Sequence, residues 1–130
     1  MKTLTILGAC TLIIALGACS KHKCDLSAEA DKQAFGEIAA MTGGAFSCFV
    51  SNGELIASHG DTTVDAVVTK YQGFLEGQGW KVSVKDHKGE RANGKPYEGK
   101  IMAAEKGGKT AATIVYPLSD KLIETVTAVK

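Results

Sequence analysis

Between residues 62 and 85 the spacing of apolar side chains switches from helical to strand-like, and that switch limits the folds open to the chain. Val64, Val67, Val68, Tyr71, Phe74 and Leu75 recur at intervals of three and four, one continuous stripe on a helix predicted over 62–76. Thr62 with Asp65 gives a capping-box-like start, and Gly77 and Gly79 stop it. From Trp80 the period becomes two: Trp80, Val82 and Val84 point one way, Lys81, Ser83 and Lys85 the other. A strand with one dry face and one wet face belongs to an antiparallel sheet covered on one side. The polar side of the helix carries one lysine among acids and neutral residues, so its stripe belongs in a core rather than on an anionic membrane.

The rest of the chain fits around this pair. A first helix is expected over 27–42, with Ser27 as N-cap, an apolar stripe of Ala34, Phe35, Ile38 and Met41, and Gly43-Gly44 as its stop; Gly36 weakens it. Residues 45–59 read as a hairpin about Asn52-Gly53, a favoured type I′ pair. That turn sets Val50 opposite Leu55, Cys48 opposite Ala57 and Phe46 opposite His59 on one mostly apolar face. Phe49 with Ile56 falls on the other face, together with Ser47 and Ser58. Residues 87–99, with Gly89, Asn93, Gly94 and Pro96, read as a long polar loop. A second hairpin turns at Gly107-Gly108, pairing Ile101 with Ile114, Ala103 with Ala112 and Lys106 with Lys109, and Pro117 is expected to end it. Residues 121–129 form a last strand with no clean alternation. The expected fold is α+β and two-layer: two helices on one face of an antiparallel sheet of five to six strands, in the order α-β-β-α-β-β-β-β.

Ahead of this domain stands an apolar run, residues 3–18, behind a single cation, Lys2, and ending in Leu16-Gly17-Ala18-Cys19. As a helix it spans about 24 Å, short of a hydrocarbon core of about 30 Å, so a signal peptide fits better than a transmembrane span. An earlier Leu-Gly-Ala-Cys at residues 7–10 leaves too short an apolar region for cleavage there. Leu16-Gly17-Ala18-Cys19 resembles the lipobox of bacterial lipoproteins. The resemblance implies a leader over 1–18, diacylglyceryl transfer to the Cys19 thiol, and a lipidated tether over 19–25 before a single domain over 26–130. Ser20, rather than Asp, after that cysteine implies export to the inner leaflet of the outer membrane, facing the periplasm.

With the leader gone two cysteines remain besides Cys19, and in an oxidising compartment a Cys24–Cys48 disulfide is the default. A metal site drawn from His22, Cys24, Cys48 and His59 is the rival, although its spacing fits no zinc pattern. The tether over 20–24 reaches at most about 17 Å, so the domain is expected to sit close to the bilayer, with Lys21 and Lys23 toward anionic headgroups. Without Lys2 the cations and anions balance at fourteen each. They are unevenly placed: residues 24–79 carry two cations and eight anions, residues 80–109 eight cations and four anions. A nucleic-acid partner does not follow from this balance. A basic surface over 81–109 for an anionic envelope component, with Arg91, Lys95 and Lys100, is the sharper reading, and solvated faces are the plainer one.

Asp61-Thr62-Thr63-Val64-Asp65, Tyr71, Phe74-Leu75 and Gly79-Trp80-Lys81-Val82, followed by Ala104-Glu105-Lys106-Gly107-Gly108-Lys109-Thr110, resemble a module of small bacterial envelope lipoproteins. The likeness covers about residues 60–116 and implies a fold but no catalytic residue. Cys48 and the Asn52-Gly53 turn carry a weaker likeness to lipoprotein inhibitors of lysozyme. No Gly-x-Ser-x-Gly, His-Glu-x-x-His, phosphate loop or dinucleotide fingerprint occurs. His59-Gly60-Asp61 reads as a turn into a helix cap. Glu90, Glu98 and Glu105 form a glycosidase pair only if folding joins two of them. Trp80 and Tyr116 are a stacking platform for sugar only if they leave the apolar strand faces on which they are expected to enter the core. The chain is therefore expected to be a non-enzymatic outer-membrane lipoprotein, without cofactor or metal, that binds another envelope component. The alternatives are an inhibitor or modulator of a cell-wall hydrolase and a carrier of a small amphipathic ligand held between helices and sheet.

Overall fold

The computed structural model describes Cys24, Leu26 and residues 28–130. Residues 1–23, Asp25 and Ser27 lie outside them, and with them the expected leader over 1–18, Cys19, Lys21, His22 and Lys23. The described chain is α+β, with two α-helices and a six-stranded antiparallel sheet. The helices are α1 (Glu29–Phe35) and α2 (Val64–Gly77). The strands are β1 (Ser47–Ser51), β2 (Glu54–Gly60), β3 (Lys81–Glu90), β4 (Pro96–Lys106), β5 (Lys109–Ser119) and β6 (Leu122–Val129). They lie in the spatial order β1-β2-β6-β5-β4-β3, which makes β1 and β3 the edges.

The first helix is broken rather than continuous. α1 ends at Phe35, Gly36 donates its amide to the Lys32 carbonyl, and a 3₁₀ segment follows over Ile38–Thr42. With three residues per turn, Ile38 and Met41 stack on one side, and both are buried. Ala34, expected in the stripe, is exposed.

The cap of α2 lies one residue later than the sequence suggested, and the helix runs over Val64–Gly77 rather than 62–76. The Thr63 hydroxyl, not that of Thr62, accepts the Ala66 amide at 3.1 Å. The helix stops in a Schellman turn: the Trp80 amide bonds the Leu75 carbonyl, the Gly79 amide bonds that of Glu76, and Gly79 takes φ +93°. Leu75 and Trp80 meet in the core, so the stop also aims β3.

The Asn52-Gly53 turn has both residues at positive φ, and it sets Cys48 opposite Ala57 and Val50 opposite Leu55. Phe46 does not pair with His59. Its amide bonds the Ser58 carbonyl and its ring lies over Gly60, while His59 is buried and Phe46 exposed.

The loop expected over 87–99 is mostly sheet. β3 and β4 pair continuously from Lys81–Glu105 to Glu90–Pro96, leaving only a tight turn in which the Arg91 amide bonds the Lys95 carbonyl. Gly94, at φ +83°, is a turn residue as expected, whereas Gly89 and Gly99 serve packing. A Cβ on Gly99 would meet the Val115 carbonyl at 2.2 Å, and one on Gly89 the Tyr97 hydroxyl at 2.6 Å. Pro117 likewise does not end β5, which continues past a bulge between Pro117 and Ser119.

The last strand alternates cleanly once threonine is counted as buriable: Ile123, Thr125 and Thr127 are all buried. Register puts them on one face with Cys48, Leu55, Ala57, His59, Met102, Ala104, Ala111, Thr113 and Val115. Ile38, Met41, Val67, Val68, Tyr71 and Leu75 pack against the β3–β6 part of that face, and Phe35 against Cys48, Leu55 and Ala57. The Thr113 and Thr127 hydroxyls pair with each other at 2.8 Å, which is how two polar groups lie in a dry layer. The structure bonds Cys24 to Cys48, with Cα atoms 4.5 Å apart and a sequence separation of 24. A closed loop of that length is worth about 3.5 kcal/mol in the chain-entropy treatment. The Thr42 hydroxyl donates to the Ala39 carbonyl and lies 3.0 Å from the Cys24 sulfur.

Candidate functional site

On the sheet face opposite the buried Ile123, Thr125 and Thr127, register lines up Phe49, Ile56, Val126, Ile114, Ile101 and Lys85 as successive cross-strand partners. Five apolar side chains thus run in one row from the β1 edge to β4, ending at a lysine on β3. At the strand spacing of a sheet the apolar part is about 19 Å long. All five are half-buried or exposed, and Phe49 is 42% exposed.

A second row lies beside it. Ser47, Ser58, Glu124 and Tyr116 are successive partners, with Gly99 and His87 paired on the far side of Tyr116. Tyr116 stacks on Tyr97, ring centroids 4.7 Å apart at an interplanar angle of 27°, and His87 lies 5.9 Å beyond Tyr97. The Tyr116 hydroxyl donates to the Glu124 carboxylate. Burial pushes the Glu124 carboxyl above its ordinary range. Two stacked rings beside a half-buried carboxylate form a flat, apolar-floored surface.

Tyr116 is therefore not in the core, contrary to expectation, because the row that faces the helices from β5 is Ala111, Thr113 and Val115. Trp80 is in the core. Its indole N–H donates to Glu37, which also takes Lys106 at 3.3 Å, and both hold the Glu37 carboxyl below its usual range, the indole first. These groups border a cavity of about 260 Å³ between α1 and the β4–β5 turn. Glu37 joins Trp80 and Lys106 across it, so it reads as a clasp between the two elements.

The basic stretch 81–109 makes no single surface. Lys81 and Lys85 project on the open side, while Lys88 and Lys100 alternate to the other, where Lys100 pairs with Asp86. Arg91 donates its Nε–H to the Pro117 carbonyl at 2.9 Å, tying the β3–β4 turn to β5. Of the three candidate acids, Glu105 stands opposite Lys81 at one end of the β3–β4 ladder, and Glu98 opposite Lys88 with Glu90 opposite Pro96 toward the other. Glu105 is thus far from the other two.

His59 lies inside, its Nε2 2.7 Å from the Tyr71 hydroxyl, which lies 2.9 Å from that of Thr125. Burial first, and Lys70 second, lower the His59 pKa to about 4, so the ring is neutral at pH 7. Burial raises the Tyr71 phenol, against the opposing bond to Thr125. The two sulfurs of the rival metal set are bonded to each other, and His22 and Cys19 lie outside the described residues. Among the described residues no group of His, Cys, Asp and Glu is placed to hold a metal ion. Among them, too, no helix is long and apolar enough to cross a membrane. Sequence reasoning missed the Tyr97–Tyr116 pair and Glu124. The signal was present in the period of residues 97, 99 and 101, which continues the strand through its glycine.

Compared with protein-family models, curated proteins and solved structures, the chain matches none.

Proposed function

We propose that the chain is a non-enzymatic lipoprotein, acylated at Cys19 in the inner leaflet of the outer membrane, whose domain over 26–130 binds another envelope component through the uncovered sheet face. In this reading the domain is two-layer: α1 and α2 share one side of the sheet, and the opposite side is the working surface. The row Phe49–Ile56–Val126–Ile114–Ile101 carries the proposal. A contiguous apolar band on an otherwise polar surface marks an interaction site. The lipobox likeness supplies the anchor and the compartment.

The carrier alternative needs room between helices and sheet, where Met41, Tyr71, Leu75 and Met102 are fully buried and packed together. The hydrolase-modulator alternative draws support from the stacked Tyr97–Tyr116 pair beside Glu124, a surface on which a sugar ring can lie.

The test is a crosslinked pull-down of the lipidated full chain from cells. Ile101→Lys with Ile114→Lys is expected to lower recovery of the partner at least tenfold, and Glu76→Lys, on the exposed side of α2, to leave it unchanged. Equal recovery from both variants contradicts the assignment of the surface.

A further inference from the structure

We propose that the β1 edge of the uncovered face, led by Phe46 and Phe49, seats on the phospholipid bilayer beside the tether. This rests on acylation of Cys19, as proposed above. Cys24 is bonded to Cys48 in β1, and only five residue steps separate Cys24 from Cys19. Fully extended, those steps span about 17 Å. With the Cα atoms of Cys24 and Cys48 4.5 Å apart, Cys48 in β1 therefore stays within about 22 Å of the lipid surface.

Two rings close to Cys48 in sequence, Phe46 just ahead of β1 and Phe49 within it, are left uncovered by the fold. Phe46 is 54% and Phe49 42% exposed; with Leu118 they are the large hydrophobic residues exposed among the described residues. Phe49 points to the uncovered face by strand alternation, and the Phe46 ring reaches the same side by lying over Gly60. β1 is an edge, so no further strand screens either ring. Two phenyl groups alone bind a membrane weakly, but a short tether turns their insertion into an intramolecular event at high effective concentration. Lys21 and Lys23, on the tether itself, add attraction to anionic headgroups. The bilayer is the one apolar phase that the anchor brings to this edge whatever protein the domain meets.

The experiment uses the processed, full-length lipoprotein in vesicles of phosphatidylethanolamine and phosphatidylglycerol at 3:1, with bromine on the upper acyl carbons. Phe46→Trp, Phe49→Trp and, at the far edge, Ser83→Trp are compared, each above the constant signal of buried Trp80. All three sites are exposed, so each variant is expected to fold. Quenching of the first two at least threefold above that of Ser83→Trp supports seating at the β1 edge. Quenching no greater than that of Ser83→Trp, in protein whose mass shows acylated Cys19, overturns the seating and leaves the anchor reading standing. A blue shift that follows protein-to-lipid ratio without quenching overturns it in favour of a second copy of the chain. An unmodified Cys19 in the mature protein overturns the anchor and the seating together.

Discussion

The two faces of one sheet handle polarity in opposite ways. The face under α2 buries polar groups and pairs every one it hides: His59 with Tyr71 and Thr125, Thr113 with Thr127. The other face leaves phenylalanine, isoleucine, valine and tyrosine uncovered beside Glu124. Stability is concentrated on the first face, where side chains are closed off from water and deletion leaves a void or an orphaned hydroxyl. The second face contributes less to the fold, and in the proposed reading its apolar row serves recognition.

Substitutions on the two faces should therefore separate stability from recognition. Leu75→Ala, under α2, is expected to lower unfolding free energy by about 2–5 kcal/mol in denaturant titration. Acid should act on the same face. His59 is neutral when folded and gains a proton on unfolding, so the unfolded state binds more protons below its ordinary pKa of 6.5. Stability is complete above that pH, and roughly 3 kcal/mol is lost as pH falls from 6.5 toward 4. His59→Gln should flatten this part of the pH profile; an unchanged profile would assign the acid effect elsewhere. Tyr71→Phe leaves His59 and Thr125 without their shared partner and is expected to cost about 1–3 kcal/mol. Ile114→Thr, on the open face, keeps β-branching and is expected to cost about 1 kcal/mol or less while weakening partner recovery. A larger loss from Ile114→Thr than from Tyr71→Phe would erase the contrast between the faces.

Much of the fold was legible because two kinds of signal are local. The α2 stripe has the helical period, and the turns at Asn52-Gly53 and Gly107-Gly108 set the register of their hairpins. What failed depended on partners distant in sequence. Thr125 and Thr127 read as polar until Tyr71 and Thr113 are known to meet them. Gly89 and Gly99 read as loop until Tyr97 and the Val115 carbonyl are seen to fill the space a side chain would need. Gly36 read as a weak point in one helix and is where the helix gives way to a 3₁₀ segment. Phe46 was placed inward by simple alternation, which ends before β1 begins. At the candidate site the apolar row followed from register: Phe49 with Ile56 and Ile101 with Ile114 were each paired correctly. Joining the two pairs required β6 between them, and its alternation was hidden by the buried threonines.

The most direct measurement places a photoreactive amino acid at Ile114 in one lipidated full-length chain and at Glu76 in another, and irradiates living cells. The account predicts a discrete adduct to one envelope component from Ile114 and none from Glu76. Adducts from Glu76 alone, or from neither position, would contradict it.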